Sequence, residues 1–157
     1  MLSKKTKYAI NALVYLARQH KNTGSQPVQI IKIAESEHIP RKFLEAILLD
    51  LKNAGILNSK KGKAGGYFLQ KSPAEINIAE VMRLFDGAIA LLPCVAHLYY
   101  ARCEECQDEA TCGIRDVFAE VRAESVRMLK KATLTEIVSR AEALALKVQE
   151  NNSTVVA

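Results

Sequence analysis

Along most of this chain apolar positions recur every three or four residues, the spacing of amphipathic helices. Ala9, Leu13, Leu16 and Ala17 form such a stripe, widened by Ile10 and Val14, and Ser3 or Thr6 can cap a first helix that runs to about Gln19. Ile30, Ile33 and Ala34 give a short second helix over about 28–37. Glu37, His38 and Ile39 then make a turn, and Pro40 opens a third helix to about Asn53. Proline suits that place, because the first N–H groups of a helix have no internal partner. Phe43, Leu44, Ile47, Leu48 and Leu51 are expected on its inner side, with Arg41, Lys42 and Glu45 outward and Gly55 as its stop. Two short strands follow, at about 56–58 and 66–70, joined by a basic turn over 59–65.

Beyond the hairpin, Asn77 and Glu80 form a capping-box pattern ahead of a helix through Val81, Met82, Leu84 and Phe85 that stops at Gly87. Periodicity then lapses until Cys112. A long helix over about 112–131 carries Ile114, Val117, Phe118, Val121, Met128 and Leu129 on one stripe, and Ser125 falls in the same series. A single stripe on a helix of that length predicts packing against a second copy of the chain. Thr133 and Glu136 cap a last helix to about Gln149, with Ile137, Val138, Ala141, Leu144, Ala145 and Val148 along it. The predicted class is mainly α with a small β-hairpin. It divides into a winged helix-turn-helix domain over 1–87, a cysteine-containing sensor loop over 88–111, a dimerisation helix over 112–132, a C-terminal helix over 133–149 and a flexible tail over 150–157. The small Ala34 suits the close helix crossing that a helix-turn-helix needs.

Charge sharpens this picture. The net charge of +5 hides a balance of +9 over residues 1–73 and −4 over 74–157. A basic front half predicts a polyanionic partner. Three lysines, Lys60, Lys61 and Lys63, sit on the Gly-rich hairpin, where they can approach phosphates without steric conflict. On the third helix Arg41 and Lys42 can bond guanine or phosphate. Glu45, on the same outer face, can accept from a cytosine amino group or pair with Arg41 or Lys42 within the helix. No apolar run is long enough to span a membrane. The basic, then apolar N-terminus is interrupted by Asn11 and Arg18 and predicts an amphipathic helix rather than a signal peptide, hence a cytoplasmic protein.

All four cysteines, Cys94, Cys103, Cys106 and Cys112, fall within 19 consecutive residues. Such clustering points to metal or redox chemistry more than to a disulfide framework. Thiolates suit an iron–sulfur cluster, and four of them could supply every ligand. Zinc, a reversible Cys103–Cys106 disulfide and an ordinary loop remain as alternatives. Neighbouring Glu104, Glu105, Asp108 and Glu109 disfavour thiolates. His97, three residues after Cys94, is a further ligand candidate, whereas His20 and His38 sit at helix ends. No nucleophile elbow, phosphate loop or paired carboxylates are present, so the chain is not expected to be an enzyme.

The segments TKYAINALVYLA, IAESEHIPRKFLEAILLDLKNAGIL, SKKGKAGGYFL and EINIAEVMRLFDG together resemble the Rrf-two family of bacterial winged helix-turn-helix transcription regulators, of the IscR, NsrR and CymR type. The resemblance spans about residues 3–148. It implies a homodimer on double-stranded DNA with a palindromic operator. It also implies a recognition helix in the major groove, with Glu45 at the place of the glutamate that reads cytosine. Lys61 stands where a basic residue ahead of the Gly65-Gly66-Tyr67 turn enters the minor groove. Family members with a 2Fe–2S cluster use three cysteines and one other ligand. Cys106 and Cys112 match the last two in spacing, and the first is Cys103 or Cys94. The fourth-ligand positions hold Arg115 or Lys7, which departs from the pattern, and a cluster need not survive purification. A second class follows from the same resemblance: a protein-interaction regulator acting through a metabolic enzyme, with the cysteines unoccupied.

Overall fold

The computed structural model describes residues 2–154, with side chains to Gln149. Six helices and one hairpin follow in order: α1 Lys4–Thr23, α2 Ile30–Ser36, α3 Arg41–Asn53, β1 Leu57–Lys60, β2 Gly66–Leu69, α4 Ile78–Phe85, α5 Gly113–Lys131 and α6 Leu134–Thr154. α1 begins where expected, with the Ser3 hydroxyl accepting from the Thr6 N–H at 3.1 Å. It ends one turn later than its pattern suggests, at Gly24, whose positive φ stops it. Nothing between Gln19 and Gly24 breaks a helix, so polarity alone did not mark its end.

α2 and α3 form the helix-turn-helix. His38 holds the turn with φ of 51°, and the Ile39 N–H reaches back to the Ala34 carbonyl at 3.0 Å. Ile39 is buried and pins the turn to the core. α3 ends in a Schellman motif: Gly55 N–H bonds the Lys52 carbonyl and Ile56 N–H the Leu51 carbonyl, with Gly55 at φ of 71°. Leu44, Ile47, Leu48 and Leu51 are fully buried, as the spacing predicts. Phe43 is not: it is 42% exposed and lays its ring edge against Tyr8 of α1. At 100° per residue, Phe43 falls on the shoulder of the apolar stripe rather than within it.

The hairpin pairs Leu57 with Leu69 through Lys60 with Gly66 in antiparallel register. Ser59 and Lys60 therefore belong to β1 and not to the turn. Val28, expected in α2, instead pairs with Tyr67 in an isolated antiparallel bridge beside the two-stranded hairpin. α4 takes its cap from the Asn77 side chain at 3.1 Å. The Glu80 carboxylate does not close the box; it bonds Lys71 at 2.8 Å. Residues 88–111 are irregular apart from a 3₁₀ turn over Pro93–Val95. α6 runs past the expected end at Gln149 to Thr154, since no Gly or Pro stops it. The tail expected from residue 150 is therefore helical as far as 154, and residues 155–157 lie outside the described residues.

One core serves both halves of the chain. Leu13, Ile33, Leu44, Ile47, Leu48, Leu51, Ile56, Leu57, Ile76, Val81 and Leu134 are all fully buried in it, and Val138 of α6 joins them. Ala9, Ala12 and Ala17 let α1 lie close to its neighbours.

Candidate nucleic-acid interface and cysteine segment

Because α3 buries one side completely, its helical rotation turns Lys42, Glu45, Ala46, Leu49 and Asn53 to the opposite, uncovered side. Arg41 and Lys52 stand on one shoulder. Arg41 Nε donates to Glu45 Oε1 at 3.2 Å, so the carboxylate already has a cation beside it. Both side chains are more than half exposed, and such a pair contributes only a few tenths of a kcal/mol. The other shoulder is tied to α1: Lys5 Nζ meets Asp50 at 2.7 Å and lies 5.2 Å from the Phe85 ring centroid. These contacts, with Phe43 on Tyr8, add to the roll that the four buried residues already set. Ala46 and Leu49 were not singled out from the sequence. Continuing the Lys42–Glu45 spacing by one further turn finds both.

The wing tip carries Lys61 and Lys63, with Lys60 at the end of β1, and all three are exposed. Gly65 N–H bonds the Gly62 carbonyl at 2.9 Å, and Gln29 Nε2 donates to the Lys63 carbonyl at 3.0 Å. Gly65 and Gly66 are demanded by space. A Cβ on Gly65 would lie 2.2 Å from the Lys60 carbonyl oxygen, and one on Gly66 would lie 2.2 Å from that of Val28. Tyr67 is half-buried against the core and exchanges both backbone bonds with Val28, at 2.8 and 2.9 Å. The framework that presents the lysines thus explains these three residues without any contact to DNA. Lys52 Nζ also bonds Ser59 Oγ at 2.7 Å, joining the end of α3 to β1.

The four thiols are free and differ in setting. Cys94 is buried in the 3₁₀ turn and Cys103 is exposed, while Cys106 and Cys112 are half-buried. Cys112 caps α5, its sulfur accepting from the Arg115 N–H at 3.5 Å. Cys103 and Cys106 share a turn closed by the Cys106 N–H to the Cys103 carbonyl at 3.2 Å. The Cys103 thiol donates to Glu105 at 3.5 Å, and that hydrogen bond to a carboxylate raises its pKa. His97 is exposed and lines a small cavity with Arg83 and Arg122, away from any thiol pair. Among the described residues no group of three or more His, Cys, Asp or Glu side chains is placed to hold a metal ion. The donors have the chemistry of an iron–sulfur ligand set, but as arranged they do not fit a cluster or zinc. Arg102 closes the loop instead, donating to the Cys106 and Gln107 carbonyls at 3.1 and 3.2 Å, and Tyr100 donates to Glu109.

α5 buries none of its 19 residues in this chain. Ile114, Val117, Val121 and Met128 are exposed, by 67%, 57%, 41% and 61%, while Phe118 and Leu129 are half-buried. On α6, Leu144, Leu146 and Val148 are exposed as well.

Comparison with known proteins gives one consistent answer. Residues 2–140 match the Rrf2 family, described as iron-dependent transcriptional regulators. An rrf2-like HTH-type transcriptional regulator of Rhodobacter capsulatus is 42% identical over 139 residues, covering 88% of this chain and 93% of that protein. The regulator CymR of Bacillus subtilis is 26% identical over 88% of this chain and 89% of its own. The solved structure of B. subtilis CymR superposes with a TM-score of 0.73 at 24% identity, covering 89% of this chain and 97% of that one. T. potens IscR gives 0.70 at 23% identity, covering 92% and 90%; both confirm the winged-helix fold.

Proposed function

The chain belongs to the Rrf2 family of transcriptional regulators, and on that premise we propose that it acts as a homodimer reading a palindromic operator through α3 and the wing. Like its relatives it is a regulator and not an enzyme. The observation that carries the proposal is the division of α3. Four apolar residues are fully buried on one side, and Lys42 and Glu45 stand in solvent on the other. N-terminal side chains of a recognition helix reach base edges, while lysines on an exposed tip such as Lys61 and Lys63 neutralise phosphates. The bare stripe of α5 supports the dimer. A helix with no buried residue gains little stability from its own chain, and the same stripe on a second copy would cover it. Two copies of α3 would then meet half-sites one helical turn or a small multiple apart.

The cysteine segment is the proposed sensor, with thiols as its input and the N-terminus of α5 as its output. Among the described residues the thiols form no ready metal-ligand group, so the proposed input is the chemistry of the free thiols. Two measurements test these points. A mobility shift with the Arg41→Ala/Lys61→Ala variant should lose specific binding, and unchanged binding would sink the DNA part. Anaerobic reconstitution with iron and sulfide quantified decides the sensor chemistry. Stoichiometric uptake of both, abolished by cysteine substitutions, would replace free thiols by a cluster.

A further inference from the structure

The uncovered face of α3 has an apolar centre that its charged residues do not account for. Ala46 and Leu49 lie there, both exposed, Leu49 by 52%, although the neighbouring Leu48 and Leu51 are fully buried. A single exposed leucine is ordinary on a protein surface. Leu49 differs in its surroundings. It follows Lys42, Glu45 and Ala46 along one helical line, in the half of the chain whose charge balance is +9. The buried Leu44, Ile47, Leu48 and Leu51 set the roll of α3 so that this line points away from the core. Charge therefore selects a nucleic-acid occupant for the face, and its centre offers that occupant no hydrogen-bonding group. In the major groove of B-DNA the apolar feature on a base edge is the thymine methyl group.

We propose that Leu49, together with Ala46, reads thymine 5-methyl groups in the operator and so determines part of its sequence. The proposal rests on the DNA-binding regulator function above. The axial rise of a helix, about 1.5 Å per residue, puts Leu49 about 6 Å beyond Glu45 and Ala46 about 1.5 Å beyond it. With base steps of about 3.4 Å, the methyls belong to thymines within about two steps of the base that Glu45 meets.

The test uses the full chain. Selection from a random duplex pool defines the bound sequence. Each thymine of one half-site is then replaced by deoxyuridine, which removes only the methyl, and affinity is read by fluorescence anisotropy at fixed salt. One or two replacements should weaken wild-type binding by about three- to five-fold each, the worth of one buried methyl. In the Leu49→Ala variant at least one of those losses should vanish. That variant keeps its fold, since the side chain is exposed and alanine favours helix. If no deoxyuridine weakens wild-type binding, or if every loss persists undiminished in Leu49→Ala, the methyl contact is overturned while the regulator function stands. If selection enriches no sequence at all, both fall together.

Discussion

Replacing Gly66 by alanine should take the wing apart while leaving the helical core folded. The added Cβ would lie 2.2 Å from the Val28 carbonyl oxygen, 2.4 Å from its carbon and 2.8 Å from the Gln29 nitrogen. All three are backbone atoms, so no side chain can turn aside. The chains must part by about 1 Å to reach ordinary contact, which breaks the pair of bonds between Val28 and Tyr67. Each contributes about 1 kcal/mol net. The φ of +155° adds strain of about 1 kcal/mol for an L-residue. The stiffer unfolded chain offsets about 0.4–1 kcal/mol of this. The net loss is about 2–3 kcal/mol, or a melting point lower by about 6–9 °C for a chain of this size. Gly113→Ala is the control, because its Cβ would meet nothing within 4 Å and it opens α5. It should be neutral or stabilising by up to about 1 kcal/mol. Thermal unfolding and amide exchange at Val28 and Tyr67 read the difference. A Gly66→Ala protein that melts within about 2 °C of wild type, with both amides still protected, would refute the steric argument.

Three further outcomes are expected. Glu45→Gln should change stability by less than about 0.5 kcal/mol, because it removes an exposed i,i+4 pair, yet relax selectivity at one base pair by about 1–3 kcal/mol in competition binding. Glu105→Gln should lower the Cys103 pKa, since donation to a carboxylate favours the neutral thiol; iodoacetamide should then modify Cys103 faster at pH 8, and an unchanged rate counts against the hydrogen bond. Val117→Glu, on the exposed stripe of α5, should give a folded monomer in sedimentation velocity, and a retained dimer would move the interface elsewhere.

What could be read from the sequence was governed by how local its cause is. Ser3, Asn77 and Gly55 act on backbone groups a few residues away, and each cap or stop lies where its residue type predicts. Buried stripes were legible for the same reason, since 3.6 residues per turn fixes a face without knowledge of its partner. Apart from the late ends of α1 and α6, two of the misplaced residues answer to partners outside their own element. Val28 left its expected helix because Tyr67 offered two backbone bonds. Glu80 turned from its own cap to Lys71. Phe43 is on a shoulder by helical rotation alone, where it meets Tyr8 of α1. The cysteines make the opposite point. Their closeness in sequence predicted a shared site; among the described residues they form no ready ligand set, and bonds from Arg102, Cys103 and Tyr100 hold the loop that carries them.

The corner between α5 and α6 decides how a dimer helix can act on the DNA-binding half. Ile78 N–H bonds the Ala132 carbonyl and Leu134 N–H the Ile76 carbonyl, both at 3.0 Å, and Asn77 bridges Thr133. Leu134 is fully buried in the core beside Val138, and pulling out one such leucine would cost about 2–5 kcal/mol. The C-terminal end of α5 therefore moves as one piece with the start of α4. Among the described residues its N-terminal end makes no such backbone bonds to another element: Cys112 caps it, and it packs against the irregular segment that leads in from Gly87. In the proposed mechanism this is the end of α5 that a change at the cysteines would move. That movement would alter the angle between protomers, and hence the spacing of the two α3 helices, without disturbing the core that orients Lys42, Glu45 and Leu49. Regulation by this route needs no unfolding of the winged helix, only a difference of angle that an operator with fixed half-site spacing can detect.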